Sequence, residues 1–199
     1  MTSTFAENTP VRDQSDLHPA LDGRLLRDVI HPSRSLWTPR ELRELTSYVA
    51  SELTTELLSV LEYSTEHRWW ARLGLTEGVE LWLLSWLPGQ HTEPHDHGGA
   101  AGSFTVLTGR LREEYRYPAG PVRTAVRETG DALGFGSGRA HQVLNTFDTP
   151  AATVHAYSPP LVPTREYASL LDIPDAIPPL PAHRLPLAEL RRLADLEGP

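Results

Sequence analysis

The sequence contains no cysteine. That absence removes disulfides, thiolate metal sites and a cysteine nucleophile, so any metal must be held by His, Asp, Glu or backbone oxygen. A basic excess is lacking too: 18 Lys and Arg stand against 26 Asp and Glu, for a net charge of -8 with His neutral. An acidic chain is a poor partner for nucleic acid or for an anionic membrane surface. No apolar run approaches the roughly 20 residues that span a bilayer. The longest, Leu81 to Leu87, has the length of a strand. The first ten residues are polar, with no basic patch leading into an apolar stretch, so no signal peptide and a cytoplasmic location are expected.

What is present suits one soluble globular domain: 199 residues, 39% apolar and 22% charged. Residues 1–36 are polar and are expected to form an extended or partly disordered N-terminal extension. Thr38-Pro39-Arg40-Glu41 reads as a helix start, with Thr38 as N-cap, Pro39 in the first turn and Glu41 closing a capping box. Leu42, Leu45, Val49, Leu53, Leu57, Leu58 and Leu61 follow at helical spacing, which predicts one long helix or two short ones over 39–62. After Trp70, short runs rich in Val, Leu, Trp, Tyr and Thr alternate with Gly and Pro turns. Strands are expected at 79–87, 103–107, 110–117, 123–128, 131–135, 141–145 and 152–157, a spacing that points to a sandwich or barrel. The organisation expected is an extension over 1–36, one domain with its helices over 37–165, and a Pro-rich tail with a short helix over 166–199.

Nine histidines are present, and His95-Asp96-His97 is the strongest local feature. On a strand, residues i and i+2 face the same side, so two imidazoles aim at one point. The surrounding spacing is longer-range. Gly89, five residues, His95-x-His97, four residues, Gly102, six residues, Gly109 resembles the first cupin motif, with Gly102 where that motif usually carries Glu. Gly130, five residues, Gly136-Ser137-Gly138, two residues, His141, three residues, Asn145 resembles the second, with Gly136 in place of Pro. The fold class this implies is mainly β, a cupin (double-stranded β-helix, jelly-roll barrel) with an N-terminal helical segment. His95, His97 and His141 are then the candidate metal ligands. Without the Glu, the protein supplies three neutral imidazoles and leaves three positions open on an octahedral metal. Ligand type alone does not choose among Fe, Zn, Cu and Ni, and three His with an open position also describes a hydrolytic zinc centre.

Within the cupins, the sequence resembles the cysteine dioxygenase family of thiol dioxygenases over about residues 68–165. The resemblance rests on Trp86-Leu87-Pro88-Gly89-Gln90, Pro94-His95-Asp96-His97-Gly98-Gly99, Gly102 to Gly109, His141-Gln142-Val143-Leu144-Asn145 and His155-Ala156-Tyr157-Ser158-Pro159-Pro160. It implies one Fe(II) per chain on His95, His97 and His141, and oxidation of a small thiol by dioxygen to its sulfinic acid. L-cysteine is the leading substrate, with 3-mercaptopropionate, cysteamine or another small thiol as alternatives. It also implies a hydrogen-bonded catalytic set at Thr153, His155 and Tyr157, where the family usually has Ser, His and Tyr. These three alternate along one strand and so share a face. Thr153 would hold the tautomer of His155, and His155 would orient the Tyr157 phenol. The family's crosslinking Cys falls at Gly102 here, so no thioether to Tyr157 can form.

For the substrate carboxylate, the resemblance implies an Arg on the strand before the first core strand in members that prefer cysteine, and a Gln in those that prefer 3-mercaptopropionate. Arg72 is the first candidate here and Arg68 the second, and a guanidinium fork can take a carboxylate through two parallel hydrogen bonds. Tyr157 is a further substrate-binding candidate. Trp82 and Trp86 read as core, His91 as a loop residue, and Asp96 as a residue turned away from the metal. The family pattern suggests a cis bond at Ser158-Pro159. The partners expected are a small thiol and dioxygen, with no nucleic acid and no membrane, in a monomer or weak homodimer. A different class of reading is a non-catalytic metal-binding cupin sensor, for which the Thr153-His155-Tyr157 set has no evident purpose.

Overall fold

A computed structural model describes residues 15–21, 29–179 and 185–194. Eleven strands are present among them: β1 (Ser15–Leu17), β2 (Trp70–Thr76), β3 (Glu80–Trp86), β4 (His95–Asp96), β5 (Ala101–Thr108), β6 (Arg110–Arg116), β7 (Arg123–Glu128), β8 (Ala132–Phe135), β9 (Ala140–Leu144), β10 (Ala151–Ser158) and β11 (Arg165–Glu166). The helices are α1 (Pro39–Glu52), α2 (Thr54–Val60) and α3 (Leu187–Ala194). The strands form two antiparallel sheets, one in the order β1-β2-β3-β10-β5-β8 and the other in the order β11-β4-β9-β6-β7. Their inner faces meet through Trp82, Leu84, Trp86, Leu111, Val143 and Ala151. The chain is a cupin, as its motifs imply.

The helices cover the outer face of the six-stranded sheet. Leu42, Leu45, Val49 and Leu57 pack with Leu81, Leu83, Val154 and Ala156. Period-two alternation therefore divides each central strand cleanly. On β3, Leu81 and Leu83 meet the helices while Trp82, Leu84 and Trp86 face the barrel interior. On β10, Val154 and Ala156 take the outer side and leave residues 153, 155 and 157 inside. Both faces are covered, which is why Leu81 to Leu87 is apolar at every position but Ser85.

Thr38 caps α1 through the reciprocal pattern read from the sequence: Glu41 N donates to Thr38 Oγ1 at 3.3 Å and Thr38 N donates to Glu41 Oε2 at 2.9 Å. The helical stretch is two helices, because Leu53 leaves helical geometry at φ -114 and ψ 24. Buried hydroxyls pin α1 to β5: Thr105 Oγ1 donates to Thr46 Oγ1 at 2.9 Å, and Thr46 Oγ1 lies 2.8 Å from Ser103 Oγ.

Each expected strand is present within two residues at either end, and Arg123–Glu128 matches at both ends. Within the expected extension, Ser15–Leu17 adds an edge strand to β2, and Ile30 lies in the core. In the tail, α3 packs Leu187, Leu190 and Ala194 on Leu75. The Ser158-Pro159 bond is cis. Among the described residues no helix is long and apolar enough to cross a membrane.

Candidate metal centre

Strand β4 carries His95, and His97 follows one residue beyond it. Strand β9 brings His141 directly opposite His95. The three rings sit 4.8 to 5.1 Å apart between centroids, and one nitrogen from each lies within 4.8 Å of the others. All three expected ligands therefore converge on one point.

Hydrogen bonds to the far nitrogens assign the near ones. His95 Nδ1 lies 2.8 Å from the Glu93 carbonyl, an acceptor only, so it carries the hydrogen and leaves Nε2 with its lone pair. His141 Nδ1 lies 3.0 Å from Glu113 Oε1. Burial, with His141 beside it, pushes His95 down to about 3. Burial and the neighbouring histidines push His97 well down also. His95 and His97 are therefore neutral at physiological pH, as metal ligands must be. His97 is 4% exposed, and neither of its ring nitrogens has a hydrogen-bond partner among the described residues. An orphaned buried imidazole beside two lone pairs is what a metal would satisfy. Imidazole donors alone suit Fe, Zn, Cu or Ni.

Gly102 explains the missing fourth ligand in packing terms. A Cβ there would lie 2.5 Å from Cε2 and Cζ of Phe135 and 3.0 Å from Cδ1 of Tyr157. Phe135 fills the space a carboxylate side chain from this position would need. It also packs against His97, which stacks on Tyr157 at 4.8 Å and 25°.

Thr153, His155 and Tyr157 form one chain of hydrogen bonds, and a fourth residue sets its direction. Trp86 Nε1 donates to Thr153 Oγ1 at 2.9 Å. Thr153 Oγ1 lies 2.8 Å from His155 Nε2, and His155 Nδ1 lies 2.9 Å from the Tyr157 hydroxyl. An indole N–H only donates. If His155 Nε2 also donated, the fully buried Thr153 hydrogen would lack an acceptor among the described residues, at a cost of about 1–3 kcal/mol. Thr153 therefore donates to Nε2, and His155 donates from Nδ1 to the Tyr157 oxygen. The phenol hydrogen is left free for the cavity. Burial drives His155 well below its usual value, which keeps it neutral in this role. Burial and the nearby Glu80 raise Tyr157, so it remains a phenol and a donor. Phe104 stacks on His155 at 5.2 Å and 17° and holds the ring.

The centre opens into a cavity of about 620 Å³. Trp82, Leu84 and Val143 form apolar wall, and Leu161 to Thr164 form the roof. Asp96, turned away from the trio, fixes that roof to the metal loop. It accepts from Gly98 N at 2.6 Å, from Arg165 Nε at 3.1 Å and from the Tyr167 hydroxyl at 2.5 Å. His91 lines the outer wall, bonded to the Gly89 carbonyl at 3.1 Å and outside the trio.

The arginine expectation requires correction. Arg72 does not line the cavity. Its Nη1 donates to the Ala194 carbonyl at 3.1 Å and its Nη2 lies 3.6 Å from Asp16, so the end of α3 and strand β1 hold it elsewhere. Arg68 lines the cavity in its place, with its guanidinium 4.9 Å over the Trp86 ring and its buried Nε without a hydrogen-bond partner among the described residues. Sequence reading also passed over Glu113, Arg127 and Arg139, and the directing part of Trp86. One signal for Glu113 was available: it shares strand parity with buried Leu111, an inward position where an unpaired carboxylate would not be tolerated.

Fold and site together define a cupin with a three-histidine centre, a buried Thr-His-Tyr relay and, among the described residues, no carboxylate in the ligand group. Residues 39–169 match the family described as cysteine dioxygenase type I, and the chain belongs to that family. More distant cupins are also similar. Germin-like protein 5-1 of Oryza sativa subsp. japonica is 31% identical over 107 residues, 51% of this chain and 48% of that protein. Germin-like protein subfamily 2 member 1 of Arabidopsis thaliana is 29% identical over 106 residues, 53% of this chain and 48% of that protein. The chain spans about half the length of these curated relatives. A solved double-stranded β-helix protein from Klebsiella pneumoniae is 19% identical, covering 57% of this chain and 95% of that one, with a TM-score of 0.48.

Proposed function

We propose that this chain is an Fe(II)-dependent thiol dioxygenase that converts L-cysteine, or a close small thiol such as 3-mercaptopropionate, to its sulfinic acid. The reaction balances as one thiol plus one dioxygen giving one sulfinic acid. The observation that carries the reading is the directed chain Trp86 to Thr153 to His155 to Tyr157, which delivers a free phenol hydrogen beside three convergent imidazoles.

Iron, when bound, would supply the redox chemistry that joins sulfur to oxygen. The chain's own residues do the rest. His95, His97 and His141 would hold the ion and leave room on it, since Gly102 adds no ligand. Arg68 offers a guanidinium fork to a carboxylate from the cavity wall. Tyr157 donates its hydrogen bond towards the reacting groups, with its direction set from behind by His155. Trp82, Leu84, Val143 and the roof at Leu161 to Pro163 set apolar surface around the site, and a fixed dipole beside such surface acts more strongly than it would in open water.

The test is dioxygen uptake and sulfinate formation by Fe(II)-loaded protein supplied with cysteine and, separately, 3-mercaptopropionate. Uptake matched mole for mole by sulfinate supports the reading. Absence of uptake with every small thiol, in protein shown to hold iron, removes it.

A further inference from the structure

Behind His141, on the side away from the cavity, lies a cluster that the reading above does not use. Glu113 is fully buried on β6, opposite Val143 of β9 and Ala125 of β7. Five N–H groups reach its carboxylate. Oε1 lies 2.7 Å from Arg139 Nη2, 3.1 Å from Arg139 Nε and 3.0 Å from His141 Nδ1. Oε2 accepts from Arg127 Nη2 at 2.8 Å and from Arg127 Nε at 3.0 Å. Arg139 is itself held, with its guanidinium 3.6 Å over the Tyr115 ring and its Nη1 3.3 Å from the Tyr117 hydroxyl.

A carboxylate offers about four lone-pair sites, and here they are filled. It can neither rotate nor give up its charge cheaply between two guanidinium groups. His141 Nδ1 must therefore carry a hydrogen, and Nε2 must present its lone pair to the trio. Two arginines already compensate one buried carboxylate, so charge balance does not require the His141 bond. That bond has a separate consequence. A carboxylate on the far nitrogen of a ligating imidazole fixes its tautomer and orientation and raises its basicity.

We propose that Glu113, clamped by Arg127 and Arg139, is the positioning residue of the metal centre, lending His141 the anionic support that no side chain at position 102 can supply. The inference rests on the metal reading of the three histidines and is independent of the thiol.

Two measurements test it. The first is histidine-nitrogen NMR of the metal-free full chain, which needs neither a variant nor a substrate. His141 is expected in the Nδ1–H form, and finding it in the Nε2–H form overturns the proposal. The second is Fe(II) affinity by anaerobic chelator competition. The single variant Glu113→Gln would strand buried Arg139, so the pair Glu113→Gln/Arg139→Gln is used, which leaves neutral amides. It is expected to bind Fe(II) about 10–100-fold more weakly, while Arg127→Gln, which spares the bond to His141, shifts affinity less than about threefold. Folded double-variant protein that matches the wild type in Fe(II) affinity overturns the proposal. So does an Arg127→Gln loss as large as that of the pair, because the cluster would then be a structural ion pair only. Wild-type chain that binds no Fe(II), whatever its His141 tautomer, removes the metal reading and this inference with it.

Discussion

Replacing Thr153 by Val tests the relay with almost no change in side-chain shape. The hydroxyl has two partners, Trp86 Nε1 at 2.9 Å and His155 Nε2 at 2.8 Å, and all three residues are buried. Losing it leaves one donor and one acceptor unmet. At about 1–3 kcal/mol each, the cost is about 2–6 kcal/mol, within the roughly 5–15 kcal/mol that holds a domain folded. The variant should fold and melt about 4–24 °C lower, at about 2–4 °C per kcal/mol for a chain of this size. The catalytic effect has a different origin. With Nε2 unclaimed, His155 can take its hydrogen there and accept from Tyr157 at Nδ1, which turns the phenol hydrogen away from the cavity. A donated hydrogen bond to developing charge contributes about 1.5–3 kcal/mol, so kcat for thiol-dependent dioxygen uptake should fall about 10–150-fold. Thr153→Ser should stay near the wild type in kcat. Tyr157→Phe sets the floor, and the double variant Thr153→Val/Tyr157→Phe should be no slower than Tyr157→Phe alone, since both remove one interaction. A Thr153→Val enzyme with kcat within twofold of wild type would refute the directional argument. Additive losses in the double variant would refute it as well.

Other outcomes follow from the same geometry. Arg68→Gln should raise KM for cysteine about 10–100-fold through loss of a bidentate carboxylate contact, whereas Arg72→Gln should lower the melting temperature and leave KM unchanged; steady-state kinetics on the pair decides. Gly102→Ala should destabilise by about 1–3 kcal/mol by overpacking, because its Cβ would meet Phe135 at 2.5 Å, and Phe135→Leu in the same chain should recover part of the loss in urea melts. Metal-free protein should lose stability on acidification in two stages. His95 falls from the ordinary His range to about 3 in the fold, so the unfolded chain binds the extra proton and stability declines as pH drops below about 6.5. For Glu113, burial acts to raise the carboxyl, but the His141 hydrogen bond and Arg139 outweigh it and hold it at about 2, so its contribution is full above the usual Glu range and is lost between about 4.5 and about 2. Urea melts in pH steps check this, and stability that rises as pH falls from 7 to 5 would contradict it.

Part of the trio and of the relay was legible as shared faces because that geometry is local, while His141 came from the second cupin motif and the part played by Thr153, His155 and Tyr157 from the family resemblance. His95 with His97, and Thr153 with His155 and Tyr157, sit two residues apart on extended chain, where sequence distance fixes direction. Capping at Thr38 was legible for the same reason. Glu113, Arg127 and Arg139 come from β6, β7 and the turn before β9, and only strand register brings them together. Strands β1, β4 and β11 are two or three residues long, too short to carry a pattern. The two arginines differ by tertiary partners alone: Asp16 and the end of α3 claim Arg72, and no nearby residue in sequence announces it. Trp86 was read as core, which it is, but its indole N–H also directs the relay, and that required coordinates.

Strand β10 has consequences for anyone reshaping this protein. Its odd-numbered residues form the relay, and its even-numbered ones, Val154 and Ala156, are gripped by α1. A methylene gained or lost at Val49 or Leu45 would displace the backbone that aims Tyr157, although neither residue is near the cavity. Drift in that helix is under a geometric restraint that would be invisible in a list of cavity residues. The roof at Leu161 to Thr164 lines the cavity without carrying either the trio or the relay. Libraries meant to alter the accepted thiol belong there, and those meant to raise heat tolerance should leave α1's inner face alone.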